Sequence, residues 1–149
     1  MVIDPHAITG NKNIVRFLLA GNAILTVRNN DTGNRFTFRV CEDKDDDGEP
    51  TGRHYVKVMT GSDNNSDYTY LGTIFGRNVY RHGKKSSIGR DAMSARAFDW
   101  IWRRMTSGKE LPPCIEVWHE GRCGRCGRRL TVPESIETGL GPTCAGLAA

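Results

Sequence analysis

Apolar and polar positions first alternate with a period of two. In the run Ala23-Ile-Leu-Thr-Val-Arg28, residues Ala23, Leu25 and Val27 share one face. In Arg35-Phe-Thr-Phe-Arg-Val40 the matching face carries Phe36, Phe38 and Val40. The segment between them, Asn30-Asp31-Thr32-Gly33, is turn chemistry, so the two runs predict a β-hairpin. Its other face holds Thr26, Arg28, Thr37 and Arg39. Alternation returns from His54 to Thr60 and from Tyr68 to Phe75, and a shorter run, Asn78 to His82, follows Gly76. Four or five short strands joined by polar loops predict an antiparallel meander.

Two segments carry the helical period instead. Ile14, Phe17 and Leu18 fall on one face of a short helix that Asn11 or Asn13 is placed to cap and Gly21 to end. Ala97, Phe98, Ile101, Trp102 and Met105 form an apolar stripe between Ser94, the expected N-cap, and Gly108. That stripe should pack on the sheet. Pro112-Pro113 then breaks the chain. The expected fold is α+β, an antiparallel β-sheet packed with one long helix, plus a small C-terminal zinc-knuckle module. Residues 1–111 would form the α+β domain, with its long helix at about 94–107, and residues 112–149 the module.

Composition is ordinary for a globular protein: 149 residues, 38% hydrophobic and 26% charged. No apolar run reaches the roughly 20 residues that span a bilayer. The start of the chain, Met1 to His6, has neither a basic region nor an apolar segment. A cytoplasmic protein with no membrane partner is the expectation. Charge changes the picture more. Residues 42–49 carry six acids against one lysine, a net of −5, whereas residues 77–109 carry nine Lys and Arg against two acids, a net of +7. Such asymmetry makes a polyanion a plausible partner. Arg28, Arg39 and Lys57 are placed to share the outer face of the sheet, and Lys84 and Lys85 to extend it.

The tail holds the most specific chemistry. Cys123 and Cys126 are spaced Cys-x2-Cys, and Cys144 follows Gly141-Pro142, as in the first turn of a short terminal helix. Three thiolates at these spacings can reach one tetrahedral Zn²⁺. His119, four residues before Cys123 on a preceding strand, is the expected fourth ligand, and Cys114 is the alternative. A dithiol redox pair would leave Cys144 unexplained. Residues 123–144, Cys-Gly-Arg-Cys-Gly-Arg-x-Leu-Thr-x-Pro-x-Ser-Ile-x-x-Gly-x-Gly-Pro-x-Cys, resemble the C-terminal motif of an uncharacterised family of small proteins from bacteriophages and other mobile elements. The resemblance implies such an origin and supports structural zinc at the three cysteines. It hands over no activity and no partner.

Two arginine groups are candidate contacts for nucleic acid or a host nucleoprotein. Arg122, Arg125, Arg128 and Arg129 surround the cysteines, where they would also offset thiolate charge. Arg96, Trp100, Arg103 and Arg104 lie opposite the apolar stripe of the long helix. A tryptophan flanked by arginines can stack a base while the guanidinium groups hold phosphates. Burial of Trp100 beneath the tail is the competing arrangement, and the usual burial of large aromatics favours it. Asp43-x-Asp45-x-Asp47-Gly48 opens like a calcium loop, but His54 stands where the bidentate glutamate belongs, so a solvated acidic turn is expected. No Ser/His/Asp set, glycine-rich phosphate loop or carboxylate pair stands at a diagnostic spacing. The expectation is a non-enzymatic accessory protein that binds nucleic acid or a nucleoprotein. The alternative is a protein-binding inhibitor of a host defence machine, of the anti-CRISPR kind.

Overall fold

The computed structural model describes residues 7–8, 10–61, 67–76, 78–120, 122–126 and 139–140. In chain order they form helix α1 (Asn11–Leu18), strands β1 (Asn22–Asn29), β2 (Arg35–Lys44), β3 (Pro50–Met59), β4 (Tyr68–Phe75) and β5 (Val79–His82), helix α2 (Met93–Thr106) and strand β6 (Ile115–His119). The result is an α+β fold with one six-stranded antiparallel sheet, ordered β5-β4-β3-β2-β1-β6.

The period-two pattern sets the register. Ala23 faces Val40, Leu25 faces Phe38 and Val27 faces Phe36, so the apolar members of the hairpin meet on one side. On the other side the hydroxyls of Thr26 and Thr37 lie 2.8 Å apart. The connecting turn depends on Gly33, at φ 76°, and on Asn29, whose Oδ1 accepts the Asp31 amide at 2.9 Å. In β4 the pairing with β3 skips a residue between Gly72 and Tyr70. Leu71 is thereby the extra residue of a bulge, and it is buried in the core.

Both helices start without the predicted side-chain caps. Gly10 rather than Asn11 precedes α1, and the Asn11 side-chain Nδ2 instead donates to the Lys109 carbonyl at 2.7 Å. Ala92 precedes α2, which places Ser94 inside the first turn. What holds α2 is packing. Phe98 sits with its ring centroid 4.8 Å from Tyr80, 5.1 Å from Phe38 and 6.1 Å from Trp102. The Trp102 indole N–H donates to the Asn78 carbonyl at 3.0 Å, at the start of β5. Ile14, Phe17 and Leu18 of α1 complete the same core.

The sixth strand is absent from the predicted meander. Ile115–His119 pairs with β1, with Val117 opposite Val27 and His119 opposite Leu25. Its outer side is partly covered, since the Ile8 amide donates to the Val117 carbonyl at 2.9 Å. No separate C-terminal module is seen among the described residues. Cys123 and Leu140 belong to the same apolar cluster as α1 and the sheet.

Phe98→Ala should lower stability by about 3–5 kcal/mol, because the void would be lined by three rings that cannot collapse inward. Phe75→Ala, on a side chain 41% exposed, should stay within about 0.5 kcal/mol of the parent. Urea midpoints at unchanged slope check both. A loss below 1 kcal/mol for Phe98→Ala would contradict its place at the centre of the core.

Candidate functional site

The expected zinc centre is corrected by the structure. Among the described residues, no three His, Cys, Asp or Glu side chains gather into a group able to hold a metal ion. Cys144, and the terminal helix expected around it, lie outside the described residues, as do Arg128 and Arg129. Cys123 and His119 are core residues. Cys123 is buried, and its Sγ accepts the Arg125 amide at 3.5 Å. His119 is 1% exposed, with its ring 5.9 Å from that of Phe17. Cys126 is exposed on the same turn. Cys114, the alternative ligand, is half-buried beside α2, and it, Cys41 and Cys126 carry free thiols. Spacing alone brings thiols within reach of one another. Here the turn buries one sulfur and exposes the next.

Backbone approach fixes the turn in place. The Asn22 amide donates to the Gly124 carbonyl at 2.7 Å, and the Gly124 amide donates to the Gly139 carbonyl at 2.8 Å. Both glycines press on Phe17: a Cβ at Gly124 would lie 2.6 Å from its ring, and one at Gly139 would lie 2.5 Å from it. Arg122 and Arg125 are both exposed here. Arg125 packs by Gly21, whereas Arg122 and Arg39 act on Glu120. Desolvation pushes the Glu120 carboxyl above the usual carboxylate range, and these two cations pull it back.

The arginines of α2 stand elsewhere. Arg96 and Arg103 line a cleft of about 610 Å³ between α2 and β5, together with Arg81, His82, Lys84 and Arg90. Asp91 and Asp99 are the acids of this cleft, and Asp99 is engaged by Arg103 at 2.8 Å. Tyr80 also lines it. Its phenol is raised well above the ordinary tyrosine range, chiefly by burial and then by Asp99 and Tyr70, so it stays protonated. Gly72 leaves it room, and its buried hydroxyl has no hydrogen-bond partner among the described residues. His82 donates Nε2–H to the Ile88 carbonyl at 2.9 Å, and its buried Nδ1 has no hydrogen-bond partner among the described residues.

Trp100 is not packed beneath the tail. It is 43% exposed on the outer side of α2, with the Arg104 guanidinium 5.5 Å from its ring centre. Arg104 also donates to the Glu110 carbonyl at 2.6 Å, so it serves as a fixed plate against the indole rather than a free cation. Trp100 and the 56% exposed Met93 border a second, mainly apolar cleft of about 640 Å³, floored by Val27, Phe36 and Ile115. Arg96 and Asp99 belong to both clefts and join them. Thus the structure brings Arg96, Trp100 and Arg103 onto one surface and leaves Arg122 and Arg125 on another.

Arg81, Lys84 and Arg90 are cleft residues that no motif marks. The signal for them is the +7 charge of residues 77–109, which predicts a basic region but not the convergence of three elements. The acidic hairpin is a self-satisfied turn: Asp45 Oδ1 accepts the amides of Asp47 and Glu49, each at 2.9 Å, and Gly48 sits at φ 79°. Among the described residues no helix is long and apolar enough to cross a membrane.

Residues 118–148 match a family described as a family of unknown function (DUF6011). The match begins in β6 and covers the tail, leaving the clefts beside α2 outside it. That description assigns no activity, source or metal. Comparison with curated proteins and with solved structures finds no match.

Gly124→Ala should cost about 1–3 kcal/mol by overpacking against Phe17. Gly89→Ala, where the added methyl meets open space, should change stability by less than about 0.5 kcal/mol. Parallel urea titrations compare them. Equal effects would show that the turn does not rest on Phe17.

Proposed function

We propose that the chain is a non-enzymatic nucleic-acid-binding accessory protein that holds the phosphate backbone in the basic cleft between α2 and β5. The observation that carries this reading is convergence. Arg81 from β5, Lys84 and Arg90 from the following loop, and Arg96 and Arg103 from α2 surround one cleft that contains two acids. One acid, Asp99, already has its cation. A concavity with an excess of one sign of charge concentrates counter-ions, and a polyanion is the partner that releases most of them on binding. The exposed indole of Trp100, one helical turn from Arg96 and Arg103, supplies a flat surface beside the phosphate track.

A second reading, a protein-binding inhibitor of a host nucleoprotein, draws on the apolar cleft. Exposed Met93 and Trp100 over a floor of Val27, Phe36 and Ile115 have the character of an interface anchor.

Binding of a labelled oligonucleotide should weaken steeply with salt. Contacts to three to five phosphates give a log–log slope of about −2.7 to −4.5 on a duplex and about −2 to −3.5 on a single strand. Arg81→Glu combined with Arg96→Glu should reduce the magnitude of that slope by about 2 and leave the thermal midpoint nearly unchanged. Absence of binding at low salt, or a slope indifferent to the double charge reversal, would reject the cleft as the binding site.

A further inference from the structure

The helices α1 and α2 pack on one face of the sheet, and the opposite face carries a mixture of cations and aromatic rings. By strand alternation that face holds Arg28 of β1, Arg35 and Arg39 of β2, Tyr55 and Lys57 of β3, Tyr68 and Tyr70 of β4, and Trp118 of β6. The register sets Arg28 directly opposite Arg35, and Arg39 directly opposite Lys57. Like charges in directly opposed positions weaken a sheet. Glu116 opposite Arg28, Glu120 by Arg39 and the bond from Arg39 Nε to Asn22 Oδ1 at 3.0 Å offset part of this repulsion, and the remainder is a local cost of the kind that collects where a surface serves a ligand.

Aromatic rings interleave these cations. The Arg35 guanidinium lies 5.2 Å from the Trp118 ring centre, and that of Arg39 lies 5.8 Å from the Tyr68 ring centre. Tyr55 and Tyr70 meet edge to face at 6.2 Å. The acids of this face stand at its margins. Glu116 lies opposite Arg28, Glu120 lies by Arg39 and Arg122, and Asp43 pairs with Arg53 at 3.4 Å.

From this arrangement we propose that the face opposite α1 and α2 is a stacking platform for single-stranded nucleic acid. The proposal rests on the nucleic-acid reading above and names the class of strand it takes. Phosphates on the opposed cations would relieve their repulsion. Rings spread across a sheet can stack bases only when those bases are not already paired and stacked in a duplex. The platform also meets the basic cleft: Arg81, which lines that cleft, is in register with Thr73, and Thr73 with Tyr55. A strand leaving the face over the β5 edge would enter the cleft.

The test is fluorescence anisotropy at low salt with twelve-nucleotide oligothymidylate, oligouridylate and a duplex of equal length, using about the same label throughout. Either single strand should bind at least roughly tenfold tighter than the duplex, and the stronger of the two tells DNA from RNA. Tyr68→Ala should weaken single-strand binding by roughly 5- to 150-fold, with Tyr68→Phe restoring it. Lys57→Gln should weaken binding, lower the salt slope by about one, and raise the thermal midpoint by relieving the opposition to Arg39. A purely structural Lys57 would lower stability and affinity together, and that result overturns the proposal. Binding abolished by Arg96→Glu yet untouched by Tyr68→Ala and Lys57→Gln would overturn the platform alone. Failure of every oligonucleotide to bind would overturn the cleft reading with it.

Discussion

One-sided burial governs this molecule. Two helices cover one face of a six-stranded sheet, and the ring cluster of Phe98, Phe38, Tyr80 and Trp102 is where helix and sheet meet. A sheet with both faces buried needs apolar residues at every position, whereas a sheet covered on one face must solvate the other. The alternation of β1, β2 and β3 follows that demand with two exceptions, outward Ile24 and inward His54: the other aliphatic and phenylalanine side chains of the core turn inward, while threonine, arginine, lysine and tyrosine turn outward. Long amphipathic side chains shield the outer backbone without making a second core. The same requirement therefore holds the fold together and creates a broad cationic and aromatic surface.

The tail depends on that core rather than on a centre of its own. Gly124 and Gly139 let the chain lie against Phe17, and two backbone hydrogen bonds tie the turn to the start of β1 and to Gly139. Cys123 and Leu140 then complete the apolar cluster. A residue with a Cβ at either glycine would hold the turn off the ring. Glycine at these two positions is thus explained by close approach.

Electrostatics divides the surface more sharply than the net charge of +4 implies. The acids of the β2–β3 hairpin form their own turn, and the cations of β5, the following loop and α2 crowd around one cleft. Arg96 and Asp99 stand where that cleft meets the apolar one, so polar and apolar recognition share a single helix face. Arg104 is spent on Trp100 and the Glu110 carbonyl, which holds the indole in a fixed, exposed position.

The positions of β1 to β5, the apolar face of the hairpin and the buried stripe of α2 were legible in the sequence because each follows from a local period, two or 3.6, that one buried face imposes. The helix starts were less so, because packing of Phe98 and Trp102 outweighs the tenths of a kcal/mol to roughly 2 kcal/mol by which a capping side chain helps. The pairing of β6 with β1, the burial of Cys123, the contact of His119 with Phe17 and the opposition of Arg39 to Lys57 involve residues far apart in the chain. No spacing rule reports them. The Cys-x2-Cys interval was consistent with a shared metal, yet distance along the chain limits only how far two sulfurs can reach. Their directions were decided by the tertiary structure, since the core takes whichever side chains best fill the space beside Phe17.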